Sequence, residues 1–273
     1  MNEYKDWIGK EFIKKDIITP RLVDHLKKTL GSDNFNIKDI PEGIFLCLCP
    51  DVSSINEIGD DGNTKLGILL PNLPYKIRMW AGGKIDIFNK FIIGSEIEKK
   101  TKISNIEFKK GRSGNLCFVK LEHNYLNENK IIVHEKQTAV YREKINIGIV
   151  LQKNQDDLKI IDQISIYGST TLLFRYSSLT FNSHKIHYDE NYSKNIEGHS
   201  GLLVHAPLQA TYLLNIAKKN KIKFSSFEYK AVSPLFHGKE FSIQIGENKD
   251  NEILRSEVSG KLNHFCAFED NTT

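Results

Sequence analysis

Hydrophobic and polar positions change their period several times along this chain, and each change marks an element. Thr19 and Pro20 form a helix start, a hydroxyl cap followed by proline at the first helical position. Leu22, Val23, Leu26 and Leu30 then recur at helical spacing until Gly31 stops them. Prolines and glycines thicken between Pro41 and Gly83, which predicts loops with short strands. From Lys84 the period is two, with Ile85, Ile87, Phe91 and Ile93 on one face and Asp86, Phe88 and Lys90 on the other. Past a turn at residues 110–115, Cys117, Val119 and Leu121 alternate, and residues 131–141 follow the polar turn at 127–130. Together these segments predict an antiparallel sheet.

Residues 143–159 are a polar interlude, which predicts two halves, 1–145 and 146–273. The same grammar then restarts. Ile160, Asp162, Ile164 and Ile166 alternate, and a turn-rich stretch follows from 177 to 201. His205-Ala206-Pro207 introduces a second helix. Seven of its ten residues from 208 to 217 are apolar or aromatic, so it belongs inside the protein. Strands return at 224–232, 239–246 and 253–262. The outline is α+β, a buried helix wrapped by antiparallel strands, made twice.

Composition narrows the class. Of 273 residues, 40% are hydrophobic and 26% charged, which is globular rather than disordered. The net charge of +4 suits an anionic small molecule and falls short of the basic stripe of a nucleic-acid binder, so no nucleic acid is expected. Cys47, Cys49, Cys117 and Cys266 include no second pair at zinc-ligand spacing, and no metal is expected. The first residues lack the apolar core of a signal peptide, and no run of about 18 apolar residues occurs. A cytoplasmic protein away from the membrane is expected.

The densest polar cluster lies between 174 and 205, where His184, His187, His199 and His205 accompany Asn182, Tyr188 and Asp189. It precedes the buried helix, whose first N–H groups and positive dipole end can hold a developing oxyanion. The cluster points to acid/base chemistry on a carbonyl compound. His184 and His187 lack a third metal ligand of obvious geometry. Ser177 and Ser178 lack a Gly-x-Ser-x-Gly elbow, and Gly111-Arg112-Ser113-Gly114 lacks the lysine of a phosphate-binding loop.

The run Asn182-Ser183-His184-Lys185-Ile186-His187-Tyr188-Asp189, with Gly198 and His205-Ala206-Pro207 after it, resembles the hydratase signature of MaoC-like enoyl-CoA hydratases. Arg78-Met79-Trp80-Ala81-Gly82-Gly83, Gly111–Gly114, Glu135, Tyr141-Arg142 and Phe174-Arg175-Tyr176-Ser177 extend the resemblance along nearly the whole chain. They bring it closest to mesaconyl-C4-CoA (3-methylfumaryl-CoA) hydratases, itaconyl-CoA hydratases and type 2 hydroxyacyl-thioester dehydratases. The resemblance implies a double hot-dog fold, two antiparallel sheets each wrapping a long helix, with the chemistry in the second half and the first half as a pocket wall. It implies hydration of a short branched or dicarboxylic 2-enoyl-CoA thioester without a cofactor, and a homodimer. His187 is implied as base, Asn182 as its partner and the Ala206 N–H as oxyanion donor. His184, Tyr188 and Asp189 support them, and Arg78, Trp80, Arg112 and Arg175 meet substrate. Asn182 replaces the aspartate of the wider family and Ala206 its usual glycine. Three alternatives stay open: a fatty-acid-type 3-hydroxyacyl-thioester dehydratase working on acyl carrier protein, a non-catalytic acyl-thioester binding module, and a hot-dog thioesterase.

Overall fold

Ten antiparallel strands join in one sheet whose order is that of two five-stranded halves. The computed structural model describes residues 4–111, 114–143, 159–247, 252–258 and 261–269. The first half contributes β1 (Glu11–Ile17), β2 (Ile77–Ile87), β3 (Glu96–Gly111), β4 (Gly114–Asn127) and β5 (Lys130–Arg142). The second contributes β6 (Lys159–Tyr167), β7 (Ser226–Ala231), β8 (Glu240–Glu247), β9 (Glu252–Val258) and β10 (Lys261–Glu269). The order β1-β3-β4-β5-β2-β7-β10-β9-β8-β6 reads the same way from either edge: an edge strand, a three-strand meander and an inner strand. The halves meet at β2 and β7, where Gly83 pairs with Tyr229 and Ile85 with Phe227.

Each half opens with a strand and a capped helix. In α1 (Pro20–Leu30) the Thr19 hydroxyl accepts from the Leu22 N–H, and Gly31 ends the helix at φ 73°. In α3 (Thr170–Thr180) the Ser169 hydroxyl accepts from the Leu172 N–H, and Leu172, Leu173 and Tyr176 are buried. The two helices pack on each other. The second half then adds α4 (Ala206–Lys219), whose residues 208–217 are all buried beneath β8, β9 and β10. Its buried polar members find partners: Thr211 Oγ1 donates to the Pro207 carbonyl, Asn215 Nδ2 to that of Thr211, and Gln209 Nε2 to that of Val204.

The first half departs from a sheet with its own long helix. The equivalent stretch holds only the single turn α2 (Ser32–Phe35) and short 3₁₀ turns at Ile44–Cys47 and Ile55–Glu57. Pro41, Pro50, Pro71 and Pro74 interrupt any longer helix. This segment is instead stapled to α4. Asn215 accepts from the Glu42 N–H and donates to the Glu42 carbonyl, while Ile44, Phe45 and Leu48 enter the core. One helix therefore serves the core of both halves. Residues 144–158, where the boundary between 145 and 146 is expected, lie outside the described residues. Among the described residues no helix is long and apolar enough to cross a membrane.

Candidate functional site

The site begins where α3 stops. Phe181 caps the helix in the left-handed region at φ 49°, and the Asn182 side-chain oxygen accepts from the His184 N–H at 3.0 Å. That side-chain turn leads into a 3₁₀ turn, Lys185–His187. The Leu203 N–H then bonds the Ile186 carbonyl, tying the turn to the strand-like segment that leads into α4.

His187 is buried, and its Nδ1 lies 2.8 Å from the Leu203 carbonyl oxygen. A carbonyl only accepts, so Nδ1 carries the proton and the lone pair of the neutral ring is on Nε2. The ring stacks on His205, with centroids 3.5 Å apart. His205 precedes the first residue of α4, and its Nε2 is 2.9 Å from the Ser177 hydroxyl. Burial, with the nearby His184, pushes the His187 imidazole down to about 3. Burial and His187 push His205 well below the ordinary histidine range. Both rings are neutral at pH 7.

His184 faces the other way. Its Nε2 lies 3.1 Å from Glu197 Oε1, and His199 Nε2 lies 3.4 Å from Glu197 Oε2. Burial alone would raise the Glu197 carboxyl, but the two histidines outweigh it and hold it near 2. Asp189 starts the turn that delivers Glu197, its carboxylate accepting from the Tyr192 N–H at 2.9 Å. Tyr188 is half exposed.

A cavity of about 310 Å³ opens beside these residues. Asn182, Ser183 and Pro207 form one wall, and Arg78 and Trp80 of β2 form part of another. His187 and Ala206 are not on its wall: His187 is 8% exposed and Ala206 half-buried at the first turn of α4. Trp80 stacks on Tyr229 at 4.2 Å. The Arg78 guanidinium lies 3.6 Å from Asp61, whose backbone carbonyl accepts from the Lys185 N–H.

The structure thus gathers His187, Asn182, Ala206, His184 and Asp189 around the start of α4 and places Arg78 and Trp80 on the cavity next to them. Arg175 does not join them; it is exposed on α3 and absent from the cavity wall. Arg112 lies outside the described residues. Two neighbours of the site escape sequence reasoning: Glu197 and Asp61. Glu197 stands two residues before His199 in the histidine-rich cluster, which is the only local signal for either of them.

Comparison with known proteins gives the arrangement a context. A family model for hydroxyacyl-thioester dehydratase type 2 matches residues 43–237. The mesaconyl-C(4)-CoA hydratase of Chloroflexus aurantiacus is 32% identical over 205 residues, covering 74% of this chain and 73% of that protein. The mitochondrial hydroxyacyl-thioester dehydratase type 2 of Schizosaccharomyces pombe is 23% identical over 276 residues, covering 88% and 91%. Among solved structures, a MaoC-like dehydratase from Phytophthora capsici superposes with a TM-score of 0.71 over 99% of both chains, at 12% identity. A Mycobacterium tuberculosis protein with a double hotdog fold superposes at 0.57 over 96% of both chains, at 10% identity. These last two likenesses show the fold.

Proposed function

The chain belongs to the hydroxyacyl-thioester dehydratase type 2 family, and from that premise we propose that this hydro-lyase reversibly adds water across the double bond of a short branched or dicarboxylic 2-enoyl-CoA thioester. The observation that carries the reading is the fixed tautomer of His187. Leu203 holds Nδ1–H, so Nε2 is the free base next to the N-terminus of a buried helix.

In the forward direction, His187 Nε2 takes a proton from water as the water oxygen bonds to the β-carbon. The π electrons shift toward the thioester, whose oxygen gains enolate character. The Ala206 N–H, in the first turn of α4 where no helical carbonyl is available, and the helix dipole hold that charge. The imidazolium then returns its proton to the α-carbon, and the carbonyl re-forms. A histidine near 3 is a weak base in the free protein, but the enolate charge raises it as the proton arrives. Asn182 orients the water through its amide NH₂, since its oxygen is engaged by the His184 N–H. Acid/base help of this type is worth about 10²–10⁴-fold, and an oxyanion donor on the order of 10²–10³. The half from 1 to 145 supplies the facing wall through Arg78 and Trp80, and the half from 146 to 273 supplies the chemistry.

The test is a panel of mesaconyl-C4-, itaconyl-, crotonyl- and octenoyl-CoA incubated with purified protein. Loss of enoyl-thioester absorbance with gain of one water in mass supports the reading. Activity confined to octenoyl-CoA or to acyl carrier protein thioesters moves the assignment to fatty-acid-type dehydration. A steady absorbance with bound ligand marks a binding module, and released thiol a thioesterase.

A further inference from the structure

Where β3 and β5 of the first half face the cavity, they present the polar side chains of Lys99, Glu135 and Gln137. Lys99 of β3 sits beside Tyr125 of β4 in register, its ammonium 5.1 Å from the tyrosine ring centroid. Glu135 of β5 is 1% exposed and accepts from the Tyr229 hydroxyl at 3.1 Å. Gln137 is 3.1 Å from His123 Nε2, and His123 Nδ1 is 2.8 Å from the Thr101 hydroxyl. Lys99, Glu135 and Gln137 line the same cavity as Asn182 and Pro207.

The charges there do not cancel. Among the described residues no carboxylate is in ion-pair contact with Lys99, although Glu135 and Asp51 face it from a distance. Burial pushes the Lys99 ammonium down, and those two carboxyls oppose it. Burial pushes the Glu135 carboxyl up, against the pull of Lys99 and of the Tyr229 hydroxyl. Of the other cations on this cavity, Arg78 is already matched by Asp61, and Lys65 donates to the Asn56 carbonyl. An ammonium sheltered against a tyrosine ring with no carboxylate in contact is costly unless something brings it an anion.

We propose that Lys99 is the specificity-determining cation of the cavity, receiving a second carboxylate carried on the acyl group of the substrate. This rests on the hydratase reading and narrows it from branched or dicarboxylic acyl groups to those with a free carboxylate. Such an acyl group pairs with Lys99. A long uncharged chain would leave Lys99 desolvated without an anion.

The experiment compares kcat/KM for mesaconyl-C4-CoA and crotonyl-CoA in wild type, Lys99→Met and Lys99→Arg. The expected result is a preference for the dicarboxylyl thioester that falls in Lys99→Met by about tenfold or more, mainly through KM, and is largely restored in Lys99→Arg. If wild type hydrates thioesters but the ratio stays put in Lys99→Met, or falls only when Arg78 is replaced, the assignment to Lys99 is overturned and the hydratase reading stands. If wild type hydrates neither thioester, the hydratase reading itself fails. Should Lys99→Met not fold, inhibition of wild type by succinyl-CoA against butyryl-CoA decides: stronger inhibition by succinyl-CoA supports the proposal, and equal inhibition overturns it.

Discussion

The imidazoles of His187 and His205 lie face to face, their centroids 3.5 Å apart and their planes inclined by 18°. One ring comes from the loop after α3 and the other from the residue before α4, so the stack joins the two segments that form the site. Each ring is anchored at its far side, His187 by the Leu203 carbonyl and His205 by the Ser177 hydroxyl. Two stacked cations are excluded by repulsion and burial, so the pair can host one transient proton. The mechanism asks for one.

Replacing His187 with alanine should therefore remove the base while leaving the neutral stack's other half in place. Turnover of enoyl thioester should fall by roughly 10²–10⁴, the range expected for loss of a general base. Circular dichroism and a thermal melt verify that the fold survives. Near wild-type turnover in a folded variant would remove His187 from the mechanism.

The same stack sets a pH dependence of stability. Both histidines have folded-state values pushed below the ordinary one near 6.5, His187 to about 3. As pH falls below 6.5 the unfolded chain takes up protons that the folded chain refuses. Stability is full above that point and is lost progressively down to about 3 for His187. Each site can cost up to about 2 kcal/mol by pH 5. Urea unfolding at pH 7.5, 6 and 5 should show the decline, and His205→Gln should flatten it. A midpoint constant across that range contradicts the buried neutral pair.

Much of this architecture is written locally. Thr19, Pro20 and Gly31 bound α1, and His205-Ala206-Pro207 announces α4, because caps and proline act within a few residues. The alternation from Ile85 to Ile93 misleads in its second part. β2 ends at Ile87, since the Phe88 and Asn89 N–H groups both turn to the Ile132 carbonyl, and Phe88, Ile92 and Ile93 are exposed. The end of α3 is hidden in a stretch that reads as turns. There Ser178 and Thr180 bond back to the Phe174 and Tyr176 carbonyls, and packing on α1 holds the helix. β1 is masked because its inward positions include Lys14 and Asp16, which are satisfied by Pro50, Asp51 and the Cys49 N–H. In the site, Asn182 and His187 share one short motif, whereas Lys99 and Asp61 arrive from the other half by topology alone.

Glu197 is the residue whose removal should separate support from chemistry. It stands between His184 and His199, 3% exposed, and its charge favours the protonated form of His187. Glu197→Gln keeps the shape and removes the charge. Stability should drop by about 1.5–3 kcal/mol, the range for hydrogen bonds to a buried charged group. With a folded value of about 2, the carboxylate contributes fully above its unfolded range near 4.3 and loses that contribution as pH falls toward 2. The variant should lose this acid-side decline. Its kcat should fall while KM holds, because the imidazolium of His187 loses a favourable field. A change confined to KM would place Glu197 in substrate binding instead.

Gly62 offers the sharpest test of the contact between the first half and the loop that carries Asn182 and His187. It sits at φ 88°, in the region that favours glycine, and its carbonyl accepts from the Ser183 hydroxyl. A Cβ there would fall inside the contact radius of the Ser183 carbonyl oxygen, one residue from Asn182. The neighbouring Asp61 carbonyl holds the Lys185 N–H at 2.8 Å, so the turn that sets His187 cannot yield freely. Gly62→Ala must move one loop or the other. The expected cost is about 1–3 kcal/mol of stability from strained backbone, together with a fall in kcat larger than that of an exposed control such as Gly9→Ala, which also has positive φ but meets nothing within 4 Å. Equal effects at Gly62 and Gly9 would mean that backbone strain alone matters and that residues 61–62 do not position the His187 turn.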